Sequence, residues 1–251
     1  MPNRWATGAA LVYGPIAREL VGTSPHSLAG RSVLDVGAGT GVASDALRAI
    51  GAAPVALDLS FDMLAWGAAK RPPAAVADVT ALALRTAAVD DCVAAFVLNH
   101  LVTPHRGFAE LLRVTRPGGA VLAAVYGNAS RSEARDVVDA SARQSGWSPP
   151  AWYVEIKERA TPLLGTAGEM GRAASAAGCV DVTVDERPVD VGVTEAGQLV
   201  DYRFGQAHFS AWLDQLGPGR AEAARQRAIE AARPVMQPYR PIVVFLSARR
   251  G

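Results

Sequence analysis

A chain of 251 residues, half of them apolar and a fifth charged, is long enough to bury a sizeable core and has the composition of a globular domain. Its formal net charge of +1 supplies no bulk field for DNA, RNA or anionic lipid, and no run approaches the roughly 18 uninterrupted apolar residues of a membrane span. Cys92 and Cys179 lie in apolar runs and are expected to be buried reduced thiols without metal-ligand spacing; with no apolar leader in the first eight residues, a cytoplasmic location is expected.

In chain order, residues 9–21 read as a helix interrupted at Gly14-Pro15, with Trp5 and Tyr13 as the aromatics of a small-residue arm. Residues 33–36 form a short β-branched strand that runs into three alternating glycines, Gly37, Gly39 and Gly41, and a helix over 42–50 capped by Gly51. A strand follows at 55–58, then a helix N-capped by Ser60 and running to about 70, where Pro72-Pro73 stops it. Further strands are predicted at 74–77, 92–98 and 120–126, with a helix over 108–115 and an Arg116-Pro117-Gly118-Gly119 turn before the last of them. Beyond it come a polar helix (131–144), an aromatic loop (146–153), a helix (166–177) and a strand (180–184). Three helices (196–205, 206–216 and 220–233) and a β-branched strand at 242–246 complete the chain. Strands alternating with helices imply a parallel α/β sheet with right-handed crossovers.

The stretch 33–41 organises the rest. Strand, glycine turn and helix N-terminus make the ligand-binding corner of an open α/β sheet, although a tight βα turn without a ligand has the same elements. The spacing is GxGxG, with Val42 where a dinucleotide fingerprint has its third glycine, and Asp58 closes the next strand about twenty residues on. A carboxylate there suits a ribose diol. Here the chain resembles the class I S-adenosylmethionine-dependent methyltransferases of the small-molecule subgroup that includes quinone-biosynthesis and bacterial natural-product enzymes. Asp78-Val79, Asp90-Asp91 and the Arg-Pro-Gly-Gly turn add to the likeness, which covers about residues 30–126.

The resemblance implies a Rossmann-like, seven-stranded, mostly parallel sheet with its last strand antiparallel and helices on both faces. It implies S-adenosylmethionine as cofactor and methyl transfer to an O, N or C atom of a small molecule, in secondary metabolism, by a monomer or homodimer. It assigns Gly37, Gly39 and Gly41 to the methionyl part of the cofactor, Asp35 to its ammonium group directly or through water, and Asp58 to the ribose. It assigns Asp78 and Val79 to the adenine, with Leu59, Asn99 and Tyr13 also at the cofactor. Met63 packs either on the adenine or in the core. On the acceptor side His100 and His208 are candidate bases, each with a structural alternative, and Tyr202, Phe209 and Trp212 are either pocket wall or cap core. Trp152 and Tyr153 are candidate wall residues. The expected division is one domain, 1–251: an arm (1–29), a cofactor core (30–126), cap insertions (127–165 and 189–240), and 166–188 with 241–248 completing the sheet. A cofactor-binding protein without transfer, a cyclisation in the same fold and a nicotinamide dehydrogenase remain open, the last weakened by the displaced third glycine. No basic patch or Asn-Pro-Pro-Tyr-like tetrad points to nucleic acid; strand four ends in Asn99-His100-Leu101-Val102.

Overall fold

A computed structural model describes residues 2–251. Helix α1 (Pro2–Arg4) leads through a π-helical turn (Trp5–Ala9) into α2 (Ala10–Gly22). The break expected at Gly14-Pro15 does not occur, and Pro15 lies inside a continuous α2. Proline removes one backbone bond there, but Val12, Tyr13, Ile16, Ala17, Leu20 and Val21 bury one whole face of the helix and hold it in register.

The core then alternates as expected: β1 (Ser32–Val36), α3 (Val42–Ala49), β2 (Ala53–Asp58), α4 (Phe61–Ala65), β3 (Ala74–Val76), β4 (Asp91–Ala95), α5 (Pro104–Val114) and β5 (Ala120–Tyr126). Two of these are shorter than their sequence predicts. Helix α4 stops at Ala65 because Trp66 is extended and Gly67 turns left-handed, and only a 3₁₀ turn (Ala68–Lys70) follows. Strand β4 stops at Ala95 because Phe96 takes φ +59°, its N–H donating to the Ala124 carbonyl at 2.8 Å, after which Leu98–His100 forms a 3₁₀ turn.

After β5 come α6 (Glu133–Gln144) and α7 (Ala151–Glu155), the latter inside the predicted aromatic loop and extended by a π-helical turn (Ile156–Ala160). Helix α8 (Ala167–Ala176) and β6 (Cys179–Pro188) follow, then α9 (Ala196–Phe204), α10 (Ala207–Leu216), α11 (Pro218–Ala232) and β7 (Ile242–Arg250). The seven strands lie in the order β3-β2-β1-β4-β5-β7-β6, and β7 runs antiparallel to both its neighbours while the other pairs are parallel.

Helices cover both faces, which is why β5 reads as an unbroken apolar run: Ala120, Leu122 and Ala124 join one core cluster, and Val121, Ala123 and Val125 the other. Helices α5 and α8 pack on the second face, while α2, α3, α6 and the three helices inserted between β6 and β7 share the first. The Trp5–Ala9 turn lies directly on α9, so closely that a Cβ on Gly8 would sit 2.1 Å from the Asp201 carbonyl oxygen. At the other end of the sheet Asp91, fully buried, is paired by Arg31 at 2.5 Å and His26 at 2.8 Å. Both cysteines are buried and unbridged, and burial pushes the Cys92 thiol up to about 12.

Candidate active site

The carboxyl ends of β1 and β2 meet at the glycine turn. Gly37 has φ +69°, and a side chain there would place its Cβ 2.6 Å from that of Val97, so angle and space both demand glycine. Around Gly39 the nearest groups are the Met63 thioether methyl and the Trp5 indole nitrogen, 3.5 and 3.9 Å from where a Cβ would lie. Nothing approaches the corresponding point at the buried Gly41 within 4 Å, leaving its backbone open to a close-lying ligand.

Asp58, half-buried at the end of β2, ties this turn to its own strand. Its carboxylate accepts the Gly39 N–H at 2.7 Å and the Ser60 N–H at 2.8 Å. Arg71 supports the same corner from outside, donating to the Gly39 carbonyl at 2.6 Å and the Met63 carbonyl at 2.8 Å. Sequence reading missed Arg71, since a lone arginine before Pro72-Pro73 carries no periodic or motif signal. Met63 is buried, with its thioether towards the glycine turn, and Leu59, beside Asp58, is 71% exposed.

Asp35 is fully buried on β1. Ser44 donates to one carboxylate oxygen at 2.6 Å, and the other has no partner. Burial lifts its pKa from 3.8 to about 6, opposed by the Ser44 hydrogen bonds. A group whose folded pKa is raised binds its proton more tightly in the folded chain, so the stability it contributes is lost as pH rises from about 3.8 to about 6 and is level above that. A cationic ligand needs the ionised form, and an α-amino group stays protonated below about 7.7. Affinity for a cationic ligand held by this carboxylate is therefore expected to be flat near pH 7 and to fall by up to about tenfold per unit below pH 6, with proton release on binding. Calorimetry across pH 5–7.5 checks this, and Asp35→Asn is expected to abolish the step.

The other predicted cofactor residues are spread more widely. Asp78, exposed past the end of β3, turns its carboxylate into its own loop, accepting from the Thr80 N–H and hydroxyl at 2.8 Å each, which holds its pKa below the usual range. Val79 is buried in the second core cluster. Asn99 is buried just past β4, its side-chain oxygen unpartnered, and His100 beside it stays exposed. Desolvation by the surrounding protein, assisted by the Lys157 cation and opposed by Asp58, lowers the His100 pKa. Tyr13 stands one ring away from the turn: it stacks on Trp5 at 5.1 Å and meets Phe96, Tyr126 and Tyr202.

That cluster is the wall above β4 and β5. Phe96, a bulky residue in the left-handed region, aims its ring at Tyr126, 4.6 Å away, a strained arrangement held by packing on both sides. No sequence motif announces it. The Tyr126 and Tyr202 hydroxyls are 3.0 Å apart, and Tyr239 lies 5.6 Å from Tyr202. Burial pushes Tyr13 and Tyr202 up to about 12, so these phenols remain neutral donors.

His208 corrects an expectation. It is buried in α10, stacked on Tyr153 at 3.8 Å, with its Nε2 unpartnered. Burial and the cations of Arg203 and Lys157 lower its pKa to about 2. It stays neutral throughout the physiological range, too weak a base to take an acceptor proton. Phe209 and Trp212 are core of the inserted helices, against Phe204 and Trp147.

Open space beside the Gly41 Cα, with buried unpartnered acceptors on Asp35 and Asn99 and a two-oxygen carboxylate at Asp58, fits a ligand bearing an ammonium and a diol. Comparison with known proteins agrees. A methyltransferase-domain family model matches residues 34–123. The chain is 34% identical over 156 residues to the demethylmenaquinone methyltransferase of Renibacterium salmoninarum, covering 58% of this chain and 66% of that one. It is 37% identical over 119 residues to the Mycobacterium tuberculosis protein of the same name, covering 47% and 45%. The match thus spans roughly half to two thirds of the length of these relatives. Phosphoethanolamine N-methyltransferase 2 of Haemonchus contortus, solved with S-adenosyl-L-methionine, superposes with TM-score 0.59 at 17% identity over 94% of this chain and 52% of that one. The 4+2 cyclase SpnF superposes with TM-score 0.56 at 20% identity over 96% and 82%. At such identities these two structures speak for the fold. Glycine turn, strand-end acids, sheet order and matched domain agree: the chain carries a methyltransferase domain over residues 34–123 and is similar to the class I S-adenosylmethionine-dependent methyltransferases, those of quinone biosynthesis among them.

Proposed function

We propose that this chain transfers a methyl group from S-adenosylmethionine to an O, N or C atom of a small-molecule acceptor held beneath a cap made by the arm (1–29) and the insertions 127–165 and 189–240. The observation that supports it most is the corner where Asp58 holds the glycine turn while Asp35, on the neighbouring strand, keeps a buried oxygen without a partner. When bound, the cofactor supplies an electrophilic methyl on a sulfonium. The chain's own work is positional. Gly37, Gly39 and Gly41 admit the methionyl part, Asp35 takes the ammonium, and Asp58 takes the ribose hydroxyls. Leu59 and Met63 flank the base, with Asp78 and Val79 at its rim, and Asn99 and Tyr13 also serve the cofactor. Such alignment is worth roughly 7–11 kcal/mol of barrier. His100, exposed at the end of β4 with a lowered pKa, is the remaining base candidate, present as free imidazole at neutral pH.

The demethylmenaquinone methyltransferases it resembles act, by their name, on a quinone precursor, and the phenol-rich wall suits a flat ring acceptor. The reading carries with it secondary metabolism, a cytoplasmic location, no nucleic-acid partner at a net charge of +1, and a monomer or homodimer. A cyclisation in the same pocket is the alternative: its wall is aromatic, and one of its two candidate bases is disabled. Calorimetry is expected to show one saturable site for S-adenosylhomocysteine. Incubation with S-adenosylmethionine and cell extract is expected to release that product. Binding without release favours cyclisation, and tight NADH binding in place of both overturns the proposal.

A further inference from the structure

Two opposite charges hold the glycine turn from its two sides. Asp58 accepts the Gly39 N–H at 2.7 Å and Arg71 donates to the Gly39 carbonyl at 2.6 Å, so the peptide groups on both sides of one left-handed residue are fixed. The same guanidinium reaches a second segment. It donates to the Met63 carbonyl at 2.8 Å and, through Nε, to the Trp66 carbonyl at 3.0 Å, where the end of α4 leaves carbonyls without a following helical N–H. Helix α4 has only five residues and cannot hold itself. Ser60 caps its start, accepting the Met63 N–H at 3.4 Å, and Arg71 secures its end. Turn and helix meet at Met63, whose thioether methyl lies 3.5 Å from where a Cβ on Gly39 would be. Three further observations connect this spacing with a ligand. The Gly39–Thr40 peptide is trans, so fixing the carbonyl on Arg71 turns the Thr40 N–H to the opposite side, where among the described residues it finds no backbone acceptor. Leu59 and Phe61, at the start of α4, stay 71% and 70% exposed. Arg71 Nη1 is buried without a partner, a cost that a freely solvated arginine avoids.

We infer that Arg71 is a positioning residue for the cofactor. One guanidinium sets the distance between the glycine turn, which takes the methionyl part, and α4, which flanks the base, and it leaves the Thr40 N–H free to donate to the ligand. Lysine is no substitute, being a point charge where three carbonyls are met by a planar fork. The identity of the ligand rests on the transfer reading; the coupling of the two segments does not.

The test combines calorimetry with S-adenosylhomocysteine and hydrogen exchange of the ligand-free full chain. Arg71→Met is expected to weaken binding about 30-fold, through lost hydrogen bonds from a charged donor, and Arg71→Lys to recover only part of that. Methylguanidinium added to Arg71→Ala should restore binding saturably, and methylammonium should not. Asp58→Asn combined with Arg71→Met should cost about tenfold less than the product of the single losses, because both side chains act on one residue. Without ligand, Arg71→Met should quicken exchange at Gly39 and at residues 64–66 together, leaving the amides of β1 and β5 unchanged. Binding within about threefold of wild type in Arg71→Met, or exchange quickened across the whole sheet with no guanidinium rescue, overturns the positioning role. If the unaltered chain does not bind S-adenosylhomocysteine, the cofactor reading falls. Paired quickening at Gly39 and residues 64–66 then still upholds the coupling, and its absence overturns that too.

Discussion

Asp58→Ala is expected to weaken S-adenosylhomocysteine binding at least about 100-fold, equivalent to about 2.7 kcal/mol. The carboxylate has two tasks, and both oxygens are engaged from the backbone, at 2.7 Å by Gly39 and 2.8 Å by Ser60. Hydrogen bonds to a charged acceptor contribute about 1.5–3 kcal/mol each, so alanine loosens the left-handed turn before any ligand arrives. It also removes the acceptor proposed for the ribose diol. Asparagine is the informative control: its amide keeps one oxygen but sets an NH₂ against one of the two backbone N–H donors. Asp58→Asn should therefore fall nearer alanine than wild type. Binding within threefold of wild type in Asp58→Ala would remove this carboxylate from the site.

The second large effect concerns stability. Arg203→Met is expected to destabilise the chain by about 3–5 kcal/mol, the usual result of stranding one member of a buried ion pair. Arg203 is 6% exposed at its side chain and Asp139 17%. Burial works against the arginine charge, but the Asp139 carboxylate beside it, with Tyr153 and Tyr202, leaves its pKa above the ordinary value. Arg203 also donates to Gln206, whose amide reaches the Tyr13 hydroxyl at 3.4 Å, so the pair links α6 and α9 to the N-terminal helix. In a chain of this size the loss lowers the melting temperature by roughly 10 °C. The double variant Arg203→Met with Asp139→Leu should recover most of it, because the cost lies in the abandoned charge. If the single and double variants melt alike, the ion pair is not what holds these helices to the sheet.

The parts of this molecule that could be read from its residues are those where local chemistry leaves one solution. A β-branched run, glycines at alternate positions and an acid at the next strand's end specify the β1–α3–β2 corner, and the structure brings Asp35, Gly37, Gly39, Gly41 and Asp58 together there. Ser60 capping α4 and Gly51 closing α3 were legible for the same reason: each answers a backbone group within a few residues. Elements failed at their ends, where a distant partner decides. Phe96 leaves β4 because Ala124 holds its N–H and the aromatic cluster holds its ring. Pro15 stays helical because the buried face of α2 outweighs one lost bond.

Charge and proton affinity were beyond sequence altogether. His208 looked like a base among aromatics until the fold set it against Tyr153, in the field of Arg203 and Lys157. Arg71 carries no pattern, yet tertiary contact makes it a clamp on the glycine turn. Sequence order thus sufficed for the cofactor corner, since its geometry is set by bonds and angles between near neighbours. The aromatic wall above β4 and β5 was decided only by folding, because desolvation and Coulomb energy depend on which remote side chains are packed within a few ångströms of one another.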